Sequence, residues 1–122
     1  MTDSALARPR RSWLAANGAL CAACAVALSA YAAHAAQGEH RAQLYTAAFF
    51  AFGHGVALAA LAPAAARGLA RFGLVLLYAG TLLFSGSLVF KVLAQWPTTL
   101  APLGGMLLIA GWVLYAVDAM RK

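Results

Sequence analysis

The sequence predicts an all-α fold, an integral membrane four-helix bundle with both termini cytoplasmic. Three observations point there. The 122 residues are 64% hydrophobic and only 10% charged, with a mean hydropathy of +0.78, far from the balance of a water-soluble domain. The apolar residues fall into four runs, about 13–33, 44–62, 72–93 and 103–119. Each is near the length of about 20 helical residues that crosses a hydrocarbon core, where a helix is the one isolated segment able to satisfy its own backbone. Finally, seven of the nine Lys and Arg residues fall on one side of such a threading, at the N-terminus, the second connection and the C-terminus, which places those parts in the cytoplasm. A 12.6 kDa chain cannot hide this much apolar surface in a core of its own, and a soluble enzyme is excluded.

Residues 1–12 form a basic tail, 13–119 the membrane domain and 120–122 a basic end. The net charge of +6 would suggest nucleic acid in a soluble protein. Here Arg8, Arg10, Arg11, Arg67, Arg71, Arg121 and Lys122 flank apolar runs without the aromatic-interleaved polar face that stacks bases, so no nucleic-acid partner is expected. The first run is rich in alanine and begins at Trp13. Its Arg10-Arg11 lead and its Ala33-His34-Ala35-Ala36 end resemble a cleavable signal peptide, but the uncharged stretch from Ser12 to Ala33 exceeds the usual apolar core of about 7–15 residues, and a retained helix is expected. A polar external loop, Ala35 to Gln43, leads to the second run. The connection Pro63 to Arg71 is small, basic and turn-forming. Pro97 and Pro102 bracket the third connection, Gln95 to Pro102, and Pro102 suits the first turn of the fourth helix, where its missing N–H costs nothing. Helices in lipid associate through close backbone approach, so small residues mark the packing faces. Gly18 on the first helix, Ser85, Gly86 and Ser87 on the third, and Gly104, Gly105 and Gly111 on the fourth are the expected contacts.

The runs Leu83-Phe84-Ser85-Gly86-Ser87-Leu88, Ala101-Pro102-Leu103-Gly104-Gly105 and Ala110-Gly111-Trp112 resemble the second half of the YgdD/YwdK-like family of small bacterial membrane proteins, which has animal mitochondrial relatives. Ala30-Tyr31-Ala32-Ala33-His34 stands where that family has a more glycine-rich, histidine-ended motif, and Phe52 to Leu58 around His54 is similar to its aromatic-histidine segment. The resemblance covers about residues 13–119. It implies four helices in an energy-transducing membrane and supplies no activity or catalytic residues.

Among chemistry-bearing residues, His54 is the one ionisable group deep in a span, and intramembrane ionisable groups are functional candidates by default. At a rise of about 1.5 Å per residue it lies level with Cys21, Thr81 and Tyr115, so a neutral His54 hydrogen-bonded to Thr81 or Tyr115 is the simplest expectation. Haem ligation would need a second axial residue, and His34 is the best candidate, yet it lies roughly 20 Å away in depth. Cys21 and Cys24 form a C-x-x-C one helical turn apart; within lipid they read as small packing residues, because a redox pair needs an accessible thiolate and a metal site more ligands. An outer polar cluster gathers His34, Glu39, His40, Arg41 and Lys91, with Gln95 nearby. Glu39 is expected to pair with Arg41 or Lys91, and Asp118 to balance the basic C-terminus.

No reactive triad, paired carboxylates or phosphate loop is present, so no catalysis and no cofactor are expected. The reading that follows is a multi-pass protein of the bacterial cell (inner) membrane. It would be a non-catalytic structural or accessory subunit whose partners are the lipid bilayer and other membrane subunits or further copies. A small-solute transporter or channel using the outer cluster and His54 is the alternative, and a haem- or quinone-binding electron-transfer module a lower one. N-terminal sequencing of the mature protein should return the residues ahead of Trp13, and a C-terminal reporter should be active on the cytoplasmic side; a new N-terminus near Ala36 would leave three spans.

Overall fold

The structure, a computed structural model, describes residues 11–65 and 67–121. Residues 1–10 of the basic tail, with Arg8 and Arg10, and Lys122 lie outside the described residues. Among the described residues four helices follow one another, α1 (Trp13–Ala35), α2 (Gly38–Leu61), α3 (Gly68–Ala94) and α4 (Leu100–Met120), with a 3₁₀ turn, Ala62–Ala64, after α2. All four are long and apolar enough to cross a membrane.

Local chemistry explains the boundaries. Ser12 opens α1 by accepting the Ala15 N–H at 3.1 Å, satisfying one of the donors a helix start leaves over. At the other end of α1, Arg41 reaches back. Its Nε donates to the carbonyls of Ala36 at 2.9 Å and Ala32 at 3.2 Å, and its Nη2 to Ala33 at 3.3 Å. That closes the carbonyl end of α1 with a cation, the favourable sign there. As a result the expected external loop Ala35–Gln43 shrinks to Ala36 and Gln37, and α2 begins at Gly38. At the end of α3, Gln95 takes the left-handed conformation, φ 58°. The Trp96 N–H then bonds the Phe90 carbonyl at 3.3 Å, while the two rings stack 5.2 Å apart, the contact that accompanies such caps.

The helices form two antiparallel hairpins, α1 on α2 and α3 on α4, joined where α2 meets α3. In each hairpin glycines let backbone touch backbone. A Cβ on Gly55 would lie 2.5 Å from the Gly18 carbonyl oxygen, and one on Gly18 only 2.7 Å from that of Gly55. In the second hairpin Gly73 and Gly111 oppose each other in the same way, at 2.8 and 2.7 Å, as do Gly80 and Gly104, at 2.8 and 2.9 Å. The spacing is regular. Gly18, Ala25 and Ala32 are buried at seven-residue intervals along α1, Gly18 against Gly55 of α2; Gly73 and Gly80 on α3 face Gly111 and Gly104 on α4. Seven-residue periodicity keeps one seam facing its partner over the whole length of a helix pair.

The seam between hairpins is bulkier. Leu58, Leu74 and Leu77 are fully buried together with Leu14 and Leu108, and a second cluster of Ala32, Ala36 and Leu44 with Leu28, Val89 and Val92 closes the far end. Outside, the surface is apolar: Phe49 is 75% exposed, Met106 66% and Ile109 67%. That exposure is untenable in water and ordinary against acyl chains.

Gly55→Val and Gly104→Val should each lower the unfolding free energy in micelles or bicelles by about 1–3 kcal/mol, as overpacking does. Gly86→Ala, where nothing lies within 4 Å of the new carbon, should be neutral or stabilising by about 0.5–1 kcal/mol. Equal losses at all three positions would remove the glycine-seam account.

Candidate functional site

His54 lies about two thirds of the way along α2, half-buried on the side that faces α4. The indole N–H of Trp112 donates to its Nε2 at 3.1 Å, and its Nδ1 lies 2.8 Å from the Phe50 carbonyl oxygen one turn back. An indole N–H is donor only and a carbonyl acceptor only, so the two contacts together specify a neutral ring with its proton on Nδ1. Both ring nitrogens are thereby engaged within the protein. The partners are not those expected. Thr81 spends its hydroxyl on the Leu77 carbonyl of its own helix at 2.7 Å, and Tyr115 meets Trp112 edge-on, centroids 6.3 Å apart, instead of reaching the imidazole. Phe50 lies parallel to the His54 ring at 5.9 Å and against Phe84 of α3 at 4.6 Å. The histidine thus sits inside an aromatic cluster that touches α2, α3 and α4.

Other polar groups in the spans also join helices. Tyr78 of α3 donates its hydroxyl hydrogen to Asn17 Oδ1 of α1 at 3.2 Å, while Asn17 Nδ2 donates to Trp13 O at 2.8 Å. Ser85 of α3, 7% exposed, donates to the Ala47 carbonyl of α2 at 2.8 Å. Asn17, Tyr78 and Trp112 did not stand out in the sequence as a connected set, although a lone Asn in an apolar run is the kind of residue that hydrogen-bonds across membrane helices. Of the small residues expected to pack, Gly18, Gly104 and Gly111 make backbone contacts, Gly86 faces open space, and a Cβ on Gly105 would lie 4.0 Å from the Phe84 ring. Ser87 is half-buried on α3, with an oxygen that lacks a hydrogen-bond partner.

The outer polar residues share one end of the bundle but do not converge on a common centre. His34, Glu39 and His40 are exposed and Lys91 is half-buried. Glu39 accepts from Gln43 Nε2 at 3.3 Å rather than from Arg41 or Lys91, because the Arg41 guanidinium is turned onto the end of α1. Cys21 and Cys24 are unbridged and line, with Asn17, Tyr78 and Ser85, a groove of about 250 Å³ between α1 and α3. Among the described residues no three His, Cys, Asp or Glu side chains come together as metal ligands would.

The family described as proteins of unknown function (DUF423) matches residues 28–105, a stretch that contains His34, the Arg41 cap, His54 and the Gly80–Gly104 contact. A UPF0382 membrane protein of Staphylococcus aureus is 33% identical over 112 residues, covering 85% of this chain and 92% of that relative. No solved structure matches.

His54→Leu and Trp112→Phe should each destabilise the bundle by about 0.5–1.5 kcal/mol, with a coupling of about 0.6 kcal/mol in the double variant. Nitrogen-15 spectra of the imidazole should show the proton on Nδ1. A coupling of zero, or the proton on Nε2, would break the proposed pairing.

Proposed function

From the premise that the chain belongs to the DUF423 family of small membrane proteins, we propose that it is a non-catalytic structural or accessory subunit of a larger membrane assembly. One observation carries this reading: most of the polar groups inside the spans bond within the chain, three of these bonds running from helix to helix, while the outer helices remain largely uncovered. His54, Asn17, Tyr78, Thr81 and Ser85 all have partners within the chain, which leaves little to bind a solute or cofactor in the bundle interior. Only 17% of the apolar window is buried in α1 and 17% in α4, against 33% and 39% in the two middle helices. Alanine is a weak lipid-facing residue, and a helix as alanine-rich as α1 gains more from close helix contact than from acyl chains.

The transport reading required an available His54 and a convergent outer cluster, and the geometry lends it no support. Haem or quinone binding through His54 would first have to break the Trp112 hydrogen bond and leave an indole N–H unpaired in apolar surroundings. In the same proposal the end bearing Arg67, Arg71 and Arg121 faces the cytoplasm of a bacterial cell (inner) membrane, following the positive-inside rule.

Native mass spectrometry of the tagged chain, extracted gently from its own membrane, tests the proposal. The expected spectrum contains other subunits at fixed stoichiometry. A bare monomer would contradict it, a bare homo-oligomer would return the weight to transport, and an added mass with a Soret band would favour haem.

A further inference from the structure

At the basic end of the bundle, where α2 stops and α3 starts, a pocket of about 330 Å³ opens between the α2–α3 connection and the last turns of α4. It differs from the groove between α1 and α3 in having charged walls. Arg67, at the start of α3, and Asp118, one turn from the end of α4, form its rim, and Leu61, Ala70 and Tyr115 its floor. Tyr115 precedes Asp118 by three residues, so its Cα lies about 4.5 Å deeper along the helix axis. The rim is therefore charged with both signs at the level of the helix ends, and the floor turns apolar toward the centre of the bundle. Trp13 stands at the same end, 81% exposed, as an indole at a membrane–water boundary does.

Arg67, Arg71 and Arg121 alone would attract any anionic lipid. The carboxylate changes the selection. Among the described residues Asp118 is the only acid at this end, and a purely anionic headgroup placed against Arg67 would meet it as a like charge. A headgroup carrying a phosphate and, two carbons away, a primary ammonium offers each of the two rim charges its opposite sign. The planar guanidinium of Arg67 suits the phosphate, and the ammonium can donate to Asp118. That carboxylate is already engaged within the chain, but with about four lone-pair sites it can accept a further donor. The volume falls at the lower end of ordinary small-ligand sites and leaves the acyl chains to run outward over Tyr115 and into the bilayer.

We propose that the pocket rimmed by Arg67 and Asp118 binds the headgroup of a zwitterionic aminophospholipid, phosphatidylethanolamine, in preference to phosphatidylcholine or phosphatidylglycerol. Three N-methyl groups remove the ammonium donors, and glycerol removes the cation. Loss of one charge-assisted hydrogen bond corresponds to roughly tenfold in affinity.

The full chain, delipidated in micelles and titrated with dioleoyl phosphatidylethanolamine, phosphatidylcholine or phosphatidylglycerol, tests this by native mass spectrometry of lipid adducts. The expected result is roughly tenfold tighter retention of phosphatidylethanolamine. Asp118→Asn should bring it down to the phosphatidylcholine level, and Arg67→Gln should weaken both. Lys91→Gln, at the opposite end, should change nothing, and all three variants should keep wild-type helicity. Equal retention of the ethanolamine and choline lipids, a preference for phosphatidylglycerol, or unchanged selectivity in Asp118→Asn would overturn the proposal. Displacement by soluble phosphoethanolamine at similar concentration would overturn the lipid as the source of the headgroup.

Discussion

The fold depends on backbone touching backbone at a few glycines. In lipid the hydrophobic effect gives helices no reason to associate, because acyl chains are as apolar as leucine, so cohesion has to come from dispersion and from polar contacts at short range. Gly18 against Gly55, Gly73 against Gly111 and Gly80 against Gly104 bring α1 onto α2 and α3 onto α4 more closely than any larger residue allows. Once those approaches are made, the remaining geometry follows. Leu58, Leu74 and Leu77 meet at the seam between hairpins, and Ser85 comes within hydrogen-bond distance of Ala47.

Polar groups act as the second constraint, and the absence of water governs each of them. A donor or acceptor left open in the hydrocarbon costs more than one facing solvent. Arg41 shows the consequence at a helix end. It is spent on the carbonyls of Ala32, Ala33 and Ala36, where it shortens the connection and fixes the entry of α2. His54 shows the same in mid-span: with Phe50 O on one nitrogen and the Trp112 indole on the other, the ring is held in one tautomer and acts as a link from α2 to α4.

Much of the fold was legible because lipid imposes simple rules. Four apolar runs became four helices, and α1, α3 and α4 lie close to where length and hydropathy put them. The start of α2 was not, since Gly38-Glu39-His40-Arg41 reads as a polar loop until the Arg41 side chain is seen to satisfy the end of α1. Packing was legible in kind and only partly in place: Gly104 and Gly111 opposed α3 as glycines should, whereas Gly86 belongs to a small-residue cluster but faces outward. Which face of a helix points inward is set by its register against neighbours, and runs apolar all round carry no such mark. The polar links were the least visible, because Asn17–Tyr78 and His54–Trp112 join residues 61 and 58 positions apart.

The direct test of the central claim is a solid-state NMR spectrum of the chain in lipid bilayers with carbon-13 at the glycine Cα positions alone. Close backbone contact predicts inter-helix cross-peaks for Gly18–Gly55, Gly73–Gly111 and Gly80–Gly104, beyond those between glycines near in sequence. Their absence, with the helices otherwise intact, would mean that something other than close backbone contact holds the bundle together.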